Sequence, residues 1–94
     1  MAESKVDRLF ELLEKNIKED NKEAIVHSCT RLIGYSRQLD EKTQVTLFIM
    51  KGIALVKLQR YTLAILNVKQ AITIDKDNEL GLQALEYVKQ RIME

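Results

Sequence analysis

Proline is absent from this 94-residue sequence, and glycine occurs only three times, at Gly34, Gly52 and Gly81. A chain so poor in helix-breaking residues, and rich in Leu, Ile, Lys, Glu and Gln, favours helix almost throughout. Cys29 is the only cysteine, which excludes an internal disulfide and points to a reducing compartment. No stretch approaches the roughly 20 apolar residues of a membrane-spanning helix. The nearest candidate, residues 45–58, is interrupted by Lys51 and Lys57. A dominant charge is also missing. With 15 basic and 14 acidic residues, the chain has little non-specific attraction for nucleic acid or an acidic membrane. Met1-Ala2-Glu3-Ser4-Lys5 leads into an acidic amphipathic stretch instead of the apolar run of a secretory signal. These absences predict a soluble cytoplasmic domain with no direct membrane insertion.

What is present is helical periodicity. Apolar residues make up 46% of the chain and charged residues 31%, enough of the former for one packed core. Val6, Leu9, Phe10, Leu13 and Ile17 fall at i, i+3, i+4, i+7 spacing and predict a helix over residues 4–18 with Ser4 as its N-cap. Residues 19–22 break the pattern, and a second helix carries Ala24, Ile25, Cys29, Leu32 and Ile33 on its buried face. Gly34 is expected to end it in the left-handed C-cap conformation. A third helix over residues 40–59 is apolar almost all the way round, which places it at the centre of the fold. A fourth buries Tyr61, Ala64, Ile65, Val68, Ala71 and Ile72. After the cap-rich Asp75-Lys76-Asp77-Asn78, a fifth is expected to bury Leu82, Leu85, Val88 and Ile92. Short connections imply antiparallel neighbours, so the fold class is all-α, with about five helices in one domain.

Catalytic chemistry has little to stand on. His27 and Cys29 lie two residues apart and face different ways on a helix, so they do not form a nucleophile–base pair. One His and one Cys cannot close a metal site, no glycine-rich phosphate loop is present, and no cofactor is expected. Five basic residues (Lys42, Lys51, Lys57, Arg60 and Lys69) lie between Glu41 and Asp75 with no acidic residue among them. They are spread over several helix faces, which is a solvated surface and no phosphate track. Neither an enzyme nor a nucleic-acid binder is the expectation.

One segment is more specific. Residues 48–78 carry Phe48, Gly52, Leu55, Tyr61, Ala64 and Ala71. In these positions the segment resembles a tetratricopeptide repeat, with Phe48 for the family's usual tryptophan. The resemblance implies that two helices cross closely at Gly52, that Tyr61 opens the second of them, and that Ala64 and Ala71 are its small contact residues. Lys51 and Lys76 depart from its common leucine and proline. Residues 4–36 have a similar two-helix layout as a degenerate repeat, with an inter-helix turn expected to be longer. Residues 40–75 form the clear repeat, and residues 78–93 are similar to the helix that caps such arrays. A repeat that cannot bury both faces alone is covered by such neighbours.

The resemblance implies a concave groove lined by the first helix of each repeat. Carried onto this chain, it turns Thr46, Ile49, Met50, Ile53 and Lys57 toward the groove. The fifth helix adds Leu80, Gln83, Ala84, Tyr87 and Arg91. The alternative is that flanking helices close over these side chains and make them core. Many co-chaperones of the family grip an acidic chaperone tail with a clamp of Lys, Asn and Arg residues. Here Met50, Leu80 and Ala84 occupy clamp positions, and Asp7 and Glu11, or Leu9 and Leu13, occupy those of the first helix. None can hold a carboxylate, so the clamp is absent. The expected function is a non-catalytic adaptor or assembly subunit holding a protein or peptide segment by hydrophobic anchors. A structural subunit forming a homodimer through its apolar face, and a co-chaperone-like module without the clamp, are the alternatives.

Overall fold

The computed structural model of the chain describes residues 4–94, so Met1-Ala2-Glu3 lie outside the described residues. Among these there are five α-helices and no strand: α1 (Lys5–Lys18), α2 (Lys22–Ile33), α3 (Glu41–Lys57), α4 (Tyr61–Ile74) and α5 (Glu79–Met93). Four begin at a side-chain cap that satisfies an otherwise orphaned N–H. The Asp7 N–H donates to Ser4 Oγ at 3.1 Å, and that of Ala24 to Asn21 Oδ1 at 3.1 Å. The Thr43 N–H donates to Asp40 Oδ1 at 2.8 Å, and that of Gly81 to Asn78 Oδ1 at 2.8 Å. Only α4 lacks such a cap, at Arg60.

The links from α1 to α2 and from α3 to α4 have one geometry built from different residues. Asp20 and Gln59 are the non-glycine residues with positive φ, at 52° and 62°. Each follows a helix and is closed by the same bond pattern. The Asn21 N–H donates to the Asn16 carbonyl at 3.0 Å and the Arg60 N–H to the Leu55 carbonyl at 2.9 Å. Asp20 and Gln59 likewise donate to the carbonyls of Ile17 and Val56. This is the six-to-one closure of a helix by a left-handed residue. The first link is therefore no longer than the second, contrary to the expectation for residues 19–22. Gly34, in contrast, is right-handed (φ −61°, ψ −19°) and does not supply the left-handed cap expected of it. The chain instead continues helically into a 3-10 turn at Ser36–Gln38, so no reversal of hand is needed there.

Consecutive helices pack against each other, and α3 also packs against α5. Short links make neighbours antiparallel, so α1, α3 and α5 run one way while α2 and α4 run the other. One core cluster joins α1 and α2 to α3 through Leu9, Leu13, Ile25, Cys29, Leu32, Leu47 and Ala54. The other joins α3, α4 and α5 through Val45, Ile49, Leu55, Val56, Ala64, Val68, Ala71, Ala84 and Val88. Val26 packs against both. The helix that is apolar all round is central, as its pattern requires.

The structure corrects the buried faces of the outer helices. On α5, Val88 is buried and Leu85 packs on the core as expected, and Gly81 and Ala84 are buried as well, whereas Leu82 and Ile92 are 48% and 45% exposed. A terminal helix packs on one side only, and the close contact with α3 and α4 is made by its small residues. Ile17 of α1 is 45% exposed, while Asn16 beside it is buried. The amide of Asn16 donates to Ser28 Oγ at 2.7 Å and to the Ala24 carbonyl at 3.2 Å, which explains how a polar side chain is tolerated between α1 and α2.

Candidate functional site

The parallel helices α1, α3 and α5 leave concave gaps between them. The larger gap, about 460 Å³, lies between α3 and α5. Helix α3 contributes Val45, Thr46, Ile49, Met50 and Ile53, and the α5 side contributes Asn78, Leu80, Gln83, Ala84 and Tyr87. No charged side chain lines it. Its floor is firm, because Val45, Ile49 and Ala84 are core residues. Its walls are adaptable: Met50, Ile53 and Tyr87 are partly buried, and Leu80 is 66% exposed. Ala84 is the small residue at the base of the groove facing α3, while Gly81 beside it approaches Ile72 of α4.

On the other flank of α3 the concavity continues. A gap of about 280 Å³ is lined by Phe10, Leu13, Glu14 and Ile17 of α1 and by Thr43, Thr46, Leu47 and Met50 of α3. A second, of about 230 Å³, lies nearer the helix ends, where Ile17, Asp20, Lys22 and Ile25 face Met50, Ile53, Ala54 and Lys57. Met50 lines all three gaps, and so stands on the ridge between the two flanks of one continuous surface.

Of the residues expected in the groove, Thr46, Ile49, Met50, Ile53, Leu80, Gln83, Ala84 and Tyr87 meet in the larger gap. Lys57 and Arg91 do not. Lys57 lines the smaller gap on the α1 flank, and Arg91 lies exposed in the last turn of α5, 3.9 Å from Glu94. Sequence reasoning missed Val45, Asn78 and the α1 wall of Phe10, Leu13 and Ile17. Asn78 was readable only as a cap, and the apolar face of α1 is broad enough to serve core and groove at once.

Burial pushes the Cys29 thiol up to about 12, against the opposing charge of Lys51, so it is a packed and unreactive thiol. His27 is exposed. The Lys22 ammonium, hydrogen-bonded to Asp20 at 2.7 Å, holds that carboxyl below its ordinary value, with a smaller contribution from Lys57. The hydrogen bonds from Thr43 do the same for Asp40. Among the described residues no group of three or more His, Cys, Asp or Glu is placed to hold a metal ion. Nor is any helix among the described residues long and apolar enough to cross a membrane. Arg60 is engaged with Glu23 at 2.6 Å, tying the α3–α4 link to the start of α2.

The chain matches no known family description and no curated protein.

Proposed function

We propose that the chain is a tetratricopeptide-type module of the cytoplasm, without catalytic activity, that holds a segment of another protein in the groove between α3 and α5. The observation that carries this reading is the apolar surface centred on Met50. It is continuous across three gaps, free of charged residues in the largest, and bordered by partly exposed Ile53, Leu80 and Tyr87. A concave apolar surface of this volume falls within the roughly 300–1,000 Å³ typical of ligand sites. The repeated left-handed link and the close contact of Gly52 with α4 support the repeat reading. A Cβ at Gly52 would stand 2.6 Å from Val68 Cγ2 and 3.3 Å from the Ala64 carbonyl. The residues at Met50, Leu80 and Ala84 favour apolar anchors over a terminal carboxylate.

The test is affinity capture from a native lysate with the wild-type chain, Met50→Glu, and Leu66→Glu on the convex side of α4. A protein retained by wild type and Leu66→Glu, and lost with Met50→Glu, is the expected result. Loss with Leu66→Glu alone would move the binding surface to α4.

A further inference from the structure

Resting on that groove reading, we infer that the occupant is an amphipathic helix of a partner protein, lying antiparallel to α3 and α5 with an acidic first turn against Lys57 and Arg91. Three observations fix the form, the anchors and the direction.

A helix fits the lined stretch. The α3 wall runs from Val45 to Ile53, about 12 Å at 1.5 Å per residue. Two parallel helices bound it, and a third helix seated between them can set apolar side chains at i, i+3 or i+4 and i+7 along that length. The anchors are uncharged because the walls are: Thr46, Gln83 and the Tyr87 ring accept apolar or neutral groups, and an ionised group there would lose water without gaining a partner.

Direction comes from the charges beyond each end. At the start of α3 and α5, a neighbouring gap shares Val45 and Asn78 with the groove and adds Glu41, Asp75 and Lys42, so acids outnumber bases. At the opposite end Lys57 extends one turn beyond Ile53, and Arg91 one turn beyond Tyr87. Lys57 makes no ion pair among the described residues, Asp20 nearby being paired with Lys22. Arg91 has only Glu94, at 3.9 Å. Bases therefore outnumber acids at one end, where Lys22, Lys57 and Arg91 stand against Asp20 and Glu94, and acids outnumber bases at the other. Acidic residues are favoured in the first turn of any helix, and here they also meet Lys57 and Arg91.

The probes are synthetic helical peptides sharing leucines at i, i+3 and i+7 and differing in their flanks. One carries glutamates in its first turn, one in its last turn, and one repeats the first with a central proline. Fluorescence anisotropy against the full chain is expected to give a dissociation constant at least about threefold lower for first-turn than for last-turn glutamates, a preference that weakens with salt. Lys57→Glu, an exposed change, should remove or reverse the preference, and Lys57→Gln should halve it or more. Equal affinity of the two glutamate peptides, with binding still abolished by Met50→Glu, overturns the direction and leaves the groove reading standing. Undiminished binding of the proline peptide means an extended occupant and overturns the helix. Binding of none, or binding indifferent to Met50→Glu, overturns both readings. Sedimentation showing a Met50-dependent dimer makes a second copy the occupant and overturns the inference as well.

Discussion

Gly52 is where the sequence leaves least room. A Cβ there would stand 2.6 Å from Cγ2 of the fully buried Val68 and 3.3 Å from the Ala64 carbonyl oxygen, so any side chain at this position forces its neighbours to shift. Gly52→Leu should overpack this crossing and cost on the order of 1–3 kcal/mol or more. For a domain of this size that lowers the melting temperature by at least several degrees. A melt unchanged by Gly52→Leu would contradict the crossing on which the α3–α4 pairing depends. Cys29 offers a test by pH. Burial raises its folded value to about 12 from an ordinary 9.0, so the native state keeps a proton that the unfolded state releases above pH 9. Between these values stability falls as pH rises, by at most about 1.4 kcal/mol per pH unit from this group. Below pH 9 the thiol contributes no slope. Cys29→Ala, compared with wild type by denaturant titration at pH 8 and pH 10.5, should show a smaller loss over that interval. An equal loss in both proteins would mean that Cys29 is not the buried titrating group.

At the scale of elements, helix starts were legible where a capping side chain precedes an apolar period, as at Ser4 and Asn78. The central position of α3 was legible from its continuous apolar surface. Two kinds of feature were not. A left-handed residue at a helix end was expected at Gly34 and is found at Asp20 and Gln59, because the constraint comes from how sharply the chain must reverse and not from residue type alone. The buried stripe of α5 was assigned to Leu82, Leu85, Val88 and Ile92; Val88 is buried and Leu85 packs on the core, but packing adds Gly81 and Ala84 and turns Leu82 and Ile92 outward. Hydrophobicity names the face that prefers burial, but distance between helices decides which residues fit. The α3–α4 link follows the same logic in reverse: Gln59 carries a Cβ in a conformation that costs an L-residue roughly 1–2 kcal/mol. Gln59→Gly should recover part of this, offset by the greater freedom of glycine in the unfolded chain. A melting temperature raised by a few degrees is the expected outcome. A lowered one would mean that the left-handed residue is relaxed or that its side chain contributes contacts of its own.

The whole molecule is elongated and thin, with extents of 49 × 28 × 17 Å, because each helix is covered only by its neighbours in the row. Such a shape leaves one face of α1, α3 and α5 without a lid. Eight of the ten groove positions implied by the family resemblance lie together there, and the two that do not, Lys57 and Arg91, flank it at the helix ends. The α1 side of the same surface was not legible, since Phe10, Leu13 and Ile17 carry the spacing of ordinary core residues. Central to this account is that the surface around Met50 is open in the free protein. The thermal melt of Met50→Glu tests this most directly. An open surface accepts the carboxylate in water, so the variant should unfold cooperatively within about 5 °C of wild type with its helical signal intact. A fall of more than about 10 °C, or loss of the cooperative transition, would show that Met50 is core and that the groove is closed in the free protein.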